Sequence, residues 1–267
     1  MSIRSPVLHL AVWLLLGVAA PVLAQDAGDT ASGDKSSLPP ITPYRPTVSN
    51  PAQLPAPGQL EVELGGLRMV TTDPRRSSTP YLLKLAFNDE WGVLVGGDAY
   101  VWMQGEVNAP QGAGDTTITL KRAWIIDKAN ALGLEAEVKL PTADSSIGSG
   151  RADYTLNGIY SRDFTALHMD LNLNVTQLGQ ADPGMSHSQL GAALSLSAPL
   201  SEHWGIAEEV SGTHQAGADD GFQLLSALTY SPNKRLTFDI GFVRAFRPRP
   251  AATSLFTGVV LPLAQLW

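Results

Sequence analysis

The sequence predicts an all-β protein, a transmembrane antiparallel up-and-down β-barrel of about twelve strands. Three observations carry that expectation. First, after Gly58 the apolar residues recur with period two. In Leu167-His168-Met169-Asp170-Leu171-Asn172-Leu173-Asn174-Val175-Thr176 every odd position is apolar and every even one is polar or ionisable. Leu132 to Leu140 alternates in the same way, as a strand with one apolar and one wet face does. Second, most of these segments run about nine to twelve residues, enough for a tilted strand to cross a bilayer. Third, their connections alternate between short and long, the asymmetry of a barrel with tight periplasmic turns and longer external loops.

In chain order, residues 1–24 are expected to be a signal peptide. Arg4 precedes an apolar run from Val7 to Leu23, and Val22-Leu23-Ala24 offers small residues for cleavage before Gln25. That export signal directs the chain to the outer membrane. Residues 25–57 are expected to form a flexible periplasmic segment. Small and charged residues there give way to Pro39, Pro40, Pro43, Pro46, Pro51, Pro55 and Pro57, which favour extended polyproline II and bury little apolar surface. A plug or a partner-binding arm is the sharper alternative for this stretch. The barrel is expected over 58–267, with strands beginning near Gln59, Thr79, Trp91, Thr116, Ala131, Ala152, Thr165, Ser188, Trp204, Gly221, Leu236 and Thr253. Short turns fall at 88–90, 127–130, 161–163, 200–203 and 231–234. Longer loops lie near 72–78, 105–115, 142–151, 179–187, 213–220 and 247–252.

Aromatics band at the strand ends. Trp91, Phe164, Trp204, Tyr230 and Trp267 map to the turn end, and Tyr81, Trp102, Tyr154, Phe222, Phe246 and Phe256 to the loop end. Amphipathic rings are favoured at both interfaces. The last strand ends on Trp267, and a terminal aromatic of this kind resembles the signal that the barrel-assembly machinery recognises. Arg122 and Glu208 fall on the lipid-facing parity, and a nearby β-bulge would turn either one inward. Gly65-Gly66 is a further candidate bulge.

The polar face gives the expected pore lining: Glu61, Glu63, Lys84, Asp98, Lys121, Glu135, Glu137, Lys139, His168, Asp170, Asn172, Asn174, Glu209 and Asp239. Carboxylates outnumber bases, so this interior disfavours anions and tolerates cations or neutral solutes. Lys121 has Glu135 and Glu137 within reach on the next strand, so structural pairing and solute selectivity both remain open. The loop arginines Arg75, Arg76, Arg151, Arg247 and Arg249 would meet lipopolysaccharide phosphates or solvent. A formal net charge of −7 argues against nucleic acid as a partner. With no cysteine, disulfides and thiolate metal sites are excluded. Neither Asp144 nor Asp219-Asp220 has calcium-loop spacing, and no metal or other cofactor is expected. No nucleophile–base constellation is recognisable: Ser186-His187-Ser188 places adjacent side chains on opposite faces, so no enzyme is expected.

The middle of the chain resembles a known family. Val138-Lys139-Leu140-Pro141-Thr142-Ala143-Asp144, then Gly148-Ser149-Gly150-Arg151-Ala152-Asp153-Tyr154, then Tyr160-Ser161-Arg162 and the asparagine strand Leu171-Asn172-Leu173-Asn174, are similar to the core of the MetA-pathway of phenol degradation family. Ala143 stands where that family usually has glycine. The resemblance implies an outer-membrane barrel that passes small organic solutes, hydrophobic or aromatic ones included. A non-conducting scaffold or adhesin barrel is the alternative. Residues 142–150 then form an external loop rather than a phosphate loop, since no strand-to-helix context surrounds their glycines. Asp144, Arg151 and Asp153 are expected to pair and hold that loop at the pore mouth. The expected partners are outer-membrane lipid and lipopolysaccharide, the barrel-assembly machinery and a small-molecule solute.

Overall fold

The computed structural model describes residues 38–71, 75–105, 108–144, 146–248 and 250–267. The expected signal peptide, and residues 25–37 of the proline-rich segment, lie outside them. Among the described residues thirteen strands form one antiparallel sheet: β1 (Gln59–Met69), β2 (Arg75–Ala86), β3 (Trp91–Gln104), β4 (Gln111–Gly112), β5 (Thr116–Ile125), β6 (Asn130–Leu140), β7 (Asp153–Asp163), β8 (His168–Gln177), β9 (Ser188–Pro199), β10 (Trp204–Gln215), β11 (Gly221–Asn233), β12 (Leu236–Arg247) and β13 (Ala252–Gln265). β4 is a two-residue pairing on β3, so twelve strands build the wall. Each pairs with its neighbour in sequence, β3 with β5 across β4. The ring closes where β1 pairs with β13. Closure leaves no free sheet edge, which a lipid environment requires.

Most strands begin within a residue of the expected positions. β2 is the main exception, starting at Arg75 rather than Thr79. Arg75-Arg76-Ser77-Ser78 has no apolar alternation, so the ladder extends where the pattern is silent. At one end the turns are tight. Phe87 N–H donates to Trp91 C=O, Ile126 to Asn130, Phe164 to Leu167 and Leu200 to Trp204.

One face of each strand points outward and is apolar: Leu64, Leu120, Leu134, Leu156, Leu173, Leu190, Ile240 and Leu255 are all large and exposed. An apolar surface this continuous has lipid, not water, as its solvent. Trp204 and Tyr230 face each other across β10 and β11 at the turn end, with ring centroids 4.8 Å apart. Phe222 and Phe246 pair at the loop end at 5.9 Å. Phe256 does not join that girdle. It is 8% exposed and packs with Leu225 and Ala227 on the inner face, where Leu67 and Val243 complete an apolar strip.

Two further expectations are corrected. Arg122 and Glu208 stay on the outer face, with no bulge to turn them. The Arg122 guanidinium lies over the rings of Trp91 (5.0 Å) and Trp124 (4.7 Å) and pairs with Glu90 at 3.3 Å. Placed near the turn-end interface among aromatic rings, it avoids the full cost of a charge in hydrocarbon. Glu208 accepts a hydrogen bond from the Ser226 hydroxyl at 2.7 Å. Gly65-Gly66 carries no bulge either. The irregularity in β1 falls at Leu60/Glu61, opposite Pro262, whose missing N–H interrupts the ladder.

Candidate functional site

The lumen is occupied by the chain's own proline-rich segment. Residues 39–57, expected to be flexible, fold up into the barrel from the turn end and return to β1. The physical reason is division of labour along the segment. Its prolines have no N–H to satisfy, and the residues between them aim theirs at lumen carboxylates and side chains. Thr42 N–H donates to Glu61 (3.1 Å), Tyr44 and Arg45 N–H to Glu63 (2.7 and 3.1 Å), and Val48 and Ser49 N–H to Glu209 (2.9 and 2.7 Å). At the apex Asn50 exchanges two hydrogen bonds with Asn172 and donates its side-chain amide to Glu135. Ala52 N–H donates to the Ser161 hydroxyl at 2.7 Å, and that hydroxyl donates to Asp170. The fully buried N–H groups of Tyr44, Ser49 and Ala52 are thereby each satisfied by a wall side chain.

Two lysines anchor the arm from the opposite sign. Lys84 is fully buried, pairs with Glu63 at 2.6 Å and Glu61 at 3.0 Å, and donates to Thr42 C=O. Lys121 is buried too, pairs with Glu135 at 3.0 Å and donates to Pro51 C=O at 2.5 Å. Both ammonium groups face the Tyr44 ring, at 4.4 and 4.2 Å from its centroid, and the Tyr44 hydroxyl donates to Gln53 C=O at 2.7 Å. Arg45 makes a bidentate bridge to Asp239, both contacts at 2.9 Å. Substituting Tyr44→Leu removes two desolvated cation–π contacts and a hydrogen bond, together about 2–4 kcal/mol of arm seating. With Ala52→Cys as a buried reporter, maleimide labelling of the double variant is expected to be at least roughly thirty-fold faster than of Ala52→Cys alone, since each ~1.4 kcal/mol is tenfold. Equal rates would refute that anchoring role.

Small inner-wall residues make the room. A β-carbon on Gly258 would stand 2.2 Å from the Arg45 Nε, and one on Gly65 would stand 2.6 Å from an Arg45 Nη. These two glycines face each other across β1 and β13. The Gly65 position that suggested a bulge is therefore the seat of an arm side chain. A β-carbon on Gly133 would lie 3.4 Å from the Ala52 methyl carbon.

The remaining sequence-predicted residues lie away from the arm. Asp98 pairs with Arg76 at 2.5 Å, and Glu137 accepts from the Thr119 hydroxyl at 3.0 Å. His168 bridges Asp163 (2.6 Å) and Asp170 (3.0 Å) at the turn end. Asn174 packs its amide against the Gly191 backbone. On the turn side of the arm a cavity of about 530 Å³ is lined by residues including Thr47, Phe164, His168, Ser195, Ile206 and Thr229. On its loop side a smaller cavity of about 170 Å³ lies between Tyr44, Asn50, Glu63 and Leu82.

A family model described as "Putative MetA-pathway of phenol degradation" matches residues 44–260, most of the chain. The chain belongs to this MetA-pathway family. No curated protein matches the sequence. Among solved structures, the chain is similar to the COG4313 outer membrane channel from Pseudomonas putida F1, at 13% identity and a TM-score of 0.62, covering 84% of this chain and all of that one. KdgM porin matches at 10% identity and a TM-score of 0.56, covering 76% of this chain and 99% of that one. NanC porin matches at 11% and 0.56, covering 76% and 100%. At these identities the likeness concerns the fold, which is that of outer-membrane barrels.

The loop block that carries the MetA-pathway resemblance is a clasp. Asp153 pairs with Lys139 at 2.7 Å and accepts from Gly179 N–H at 2.9 Å, while Asp115 approaches Lys139 at 3.4 Å and accepts from Ala143 N–H at 3.0 Å. Asp144 instead closes its own turn. The Ser146 N–H and then the Ser146 hydroxyl hold its carboxyl below the usual range. The expected pairing of Asp144, Arg151 and Asp153 with one another is thus replaced by a Lys139-centred set. Arg151 takes no part through its guanidinium, because the β6–β7 register sets Asp153 directly opposite Lys139. Sequence reasoning missed Tyr44, Arg45, Ser49, Asn50 and the inner-wall glycines. Tyr44 and Arg45 were findable as the aromatic and the base interrupting the proline run.

Proposed function

We propose that this barrel conducts small organic solutes across the outer membrane, and that residues 39–57 are its closure. One observation supports this most directly: the arm lies in the lumen and its Tyr44, Arg45 and Thr47 line both of two cavities there, of about 530 and 170 Å³. With the arm in place, Glu61, Glu63, Glu135 and Glu209 are answered by its N–H groups and by two lysines; with the arm displaced, they line an acidic passage. Such a passage favours neutral and cationic solutes over anions. The inner strip of Leu67, Leu225, Val243 and Phe256 adds an apolar track, which fits an aromatic cargo of the kind the family's name implies.

Uptake of labelled benzyl alcohol, benzylamine and benzoate by a porin-deficient Gram-negative strain tests the reading. The protein is expected to raise entry of the first two at least several-fold over benzoate. Equal entry with and without the protein would overturn it. The alternative, a sealed scaffold barrel, draws support from the number of hydrogen bonds and ion pairs that hold the arm, and a locked arm separates the two readings.

A further inference from the structure

Three strand arginines outside the lumen, one of them the Arg75 expected in a loop, form a patch. Arg68 on β1, Arg75 on β2 and Arg244 on β12 share the outer face. Arg68 stands opposite Ser77 in register, and Ser77 has the same parity as Arg75; Arg244 stands opposite Thr253, whose N–H donates to the Thr71 hydroxyl at 2.6 Å. The strand order β2-β1-β13-β12 makes them neighbours on one arc of the wall. Arg68 lies eight positions beyond Leu60, and Arg244 eight beyond Leu236. At ~3.3 Å per residue and ~40° tilt, both sit about 20 Å above the turn end, at the upper edge of the apolar band.

Among the described residues, no ion pair holds any of the three. Of the other strand arginines, Arg76 pairs with Asp98, Arg122 pairs with Glu90, Arg162 lies over the Phe164 ring at the turn end, and Arg247 ends β12. Arg244 spends one nitrogen on the Thr253 hydroxyl at 2.6 Å, leaving the rest of its fork free. Leu255 stands opposite Arg68 in register, and Leu64, Phe242 and Ile240 are exposed apolar residues nearer the turn end of the same strands. On the far side of the barrel, the outer positions near this height are Val138, Tyr154, Leu156, Val175 and Leu190, and no arginine stands among them. The charge is concentrated on one arc.

We propose that Arg68, Arg75 and Arg244 form a binding site for the phosphates of lipid A, with its acyl chains on the apolar surface below. Guanidinium groups recognise phosphate bidentately, and a desolvated interface strengthens that contact. Three forks spread over four adjacent strands, roughly 14 Å at ~4.8 Å per strand, suit a headgroup with two phosphates better than a single free anion. The proposal rests on the outer-membrane placement of the barrel and not on conduction.

The test uses full-length protein, delipidated in detergent, with native mass spectrometry of bound bisphosphorylated, monophosphoryl and dephosphorylated lipid A. The bisphosphorylated form is expected to bind at least tenfold tighter than the dephosphorylated one. Arg68→Gln/Arg75→Gln/Arg244→Gln is expected to lose that preference, and each single substitution to weaken it about threefold, while Arg151→Gln retains it. Heat-modifiable gel migration confirms that each variant is folded, and the single variants decide the matter where the triple one is not. Undiminished preference in the folded variants would overturn the proposal. So would displacement of lipid A by millimolar inorganic phosphate, which would mark a free-anion site.

Discussion

Deleting residues 39–57 is expected to raise single-channel conductance in planar bilayers several-fold or more, with current favouring cations. The arm crosses the lumen in contact with Glu63, Lys121 and Glu209, and its removal leaves their carboxylates and amine facing water in the passage. A deletion also removes stabilising contacts, so a covalent lock provides the converse. An ideal β-carbon on Gly133 lies 3.4 Å from that of Ala52, at the short edge of the disulfide range. The chain has no cysteine of its own, so Ala52→Cys/Gly133→Cys has no competing partner. Oxidised, this variant is expected to abolish solute entry, and reduction to restore it. Entry unchanged by oxidation would show that solute does not wait on arm displacement. Absence of extra current from the deleted form would remove the closure role altogether.

The second large effect concerns Lys84. Its ammonium group is fully buried between Glu61 and Glu63, and Lys84→Met leaves two buried carboxylates facing each other without a counter-charge. Breaking a buried ion pair from one side costs about 3–5 kcal/mol. We expect a lower urea midpoint of unfolding together with fast maleimide labelling at an Ala52→Cys reporter. Adding Glu61→Gln and Glu63→Gln to Lys84→Met is expected to recover much of the midpoint, since the loss comes from stranded charge rather than lost volume. Glu137→Gln is the comparison: among the described residues that side chain has only the Thr119 hydroxyl as hydrogen-bond partner, and its change is expected to be small. A Lys84→Met midpoint equal to wild type would show that the triad does not anchor the arm.

The barrel was legible because period-two alternation is a direct image of a sheet with two different solvents. Strand β8 needs no other information: Asp170 and Asn172 turn inward, Leu171 and Leu173 outward. The polar parity also picked out the charged wall residues that hold the arm, among them Glu61, Glu209 and Asp239. What that parity could not show was the partner. Residues 39–57 have no period, and their hydrogen bonds reach as far as the 212 positions between Arg45 and Thr257. Carboxylates that read as a solvated lining are therefore acceptors for buried backbone. Phe256 misled for a local reason. Leu255 and Phe256 are both apolar, so hydropathy does not say which one faces lipid, and only the register with Gly241 and Leu67 decides it.

The Arg45 guanidinium has a bearing on how the molecule is made. It grips Asp239 on β12 and the Thr257 carbonyl on β13, while its backbone N–H is held by Glu63 on β1. These groups belong to opposite ends of the chain and come together only when β1 and β13 have zipped in the right register. The arm's first few residues can find their acceptors on β1 as soon as that strand exists, but this clamp waits for the last. Seating of the N-terminal segment therefore reports that the ring is complete. It adds a late step to biogenesis, one that rewards correct closure and leaves a slipped seam without its fastening.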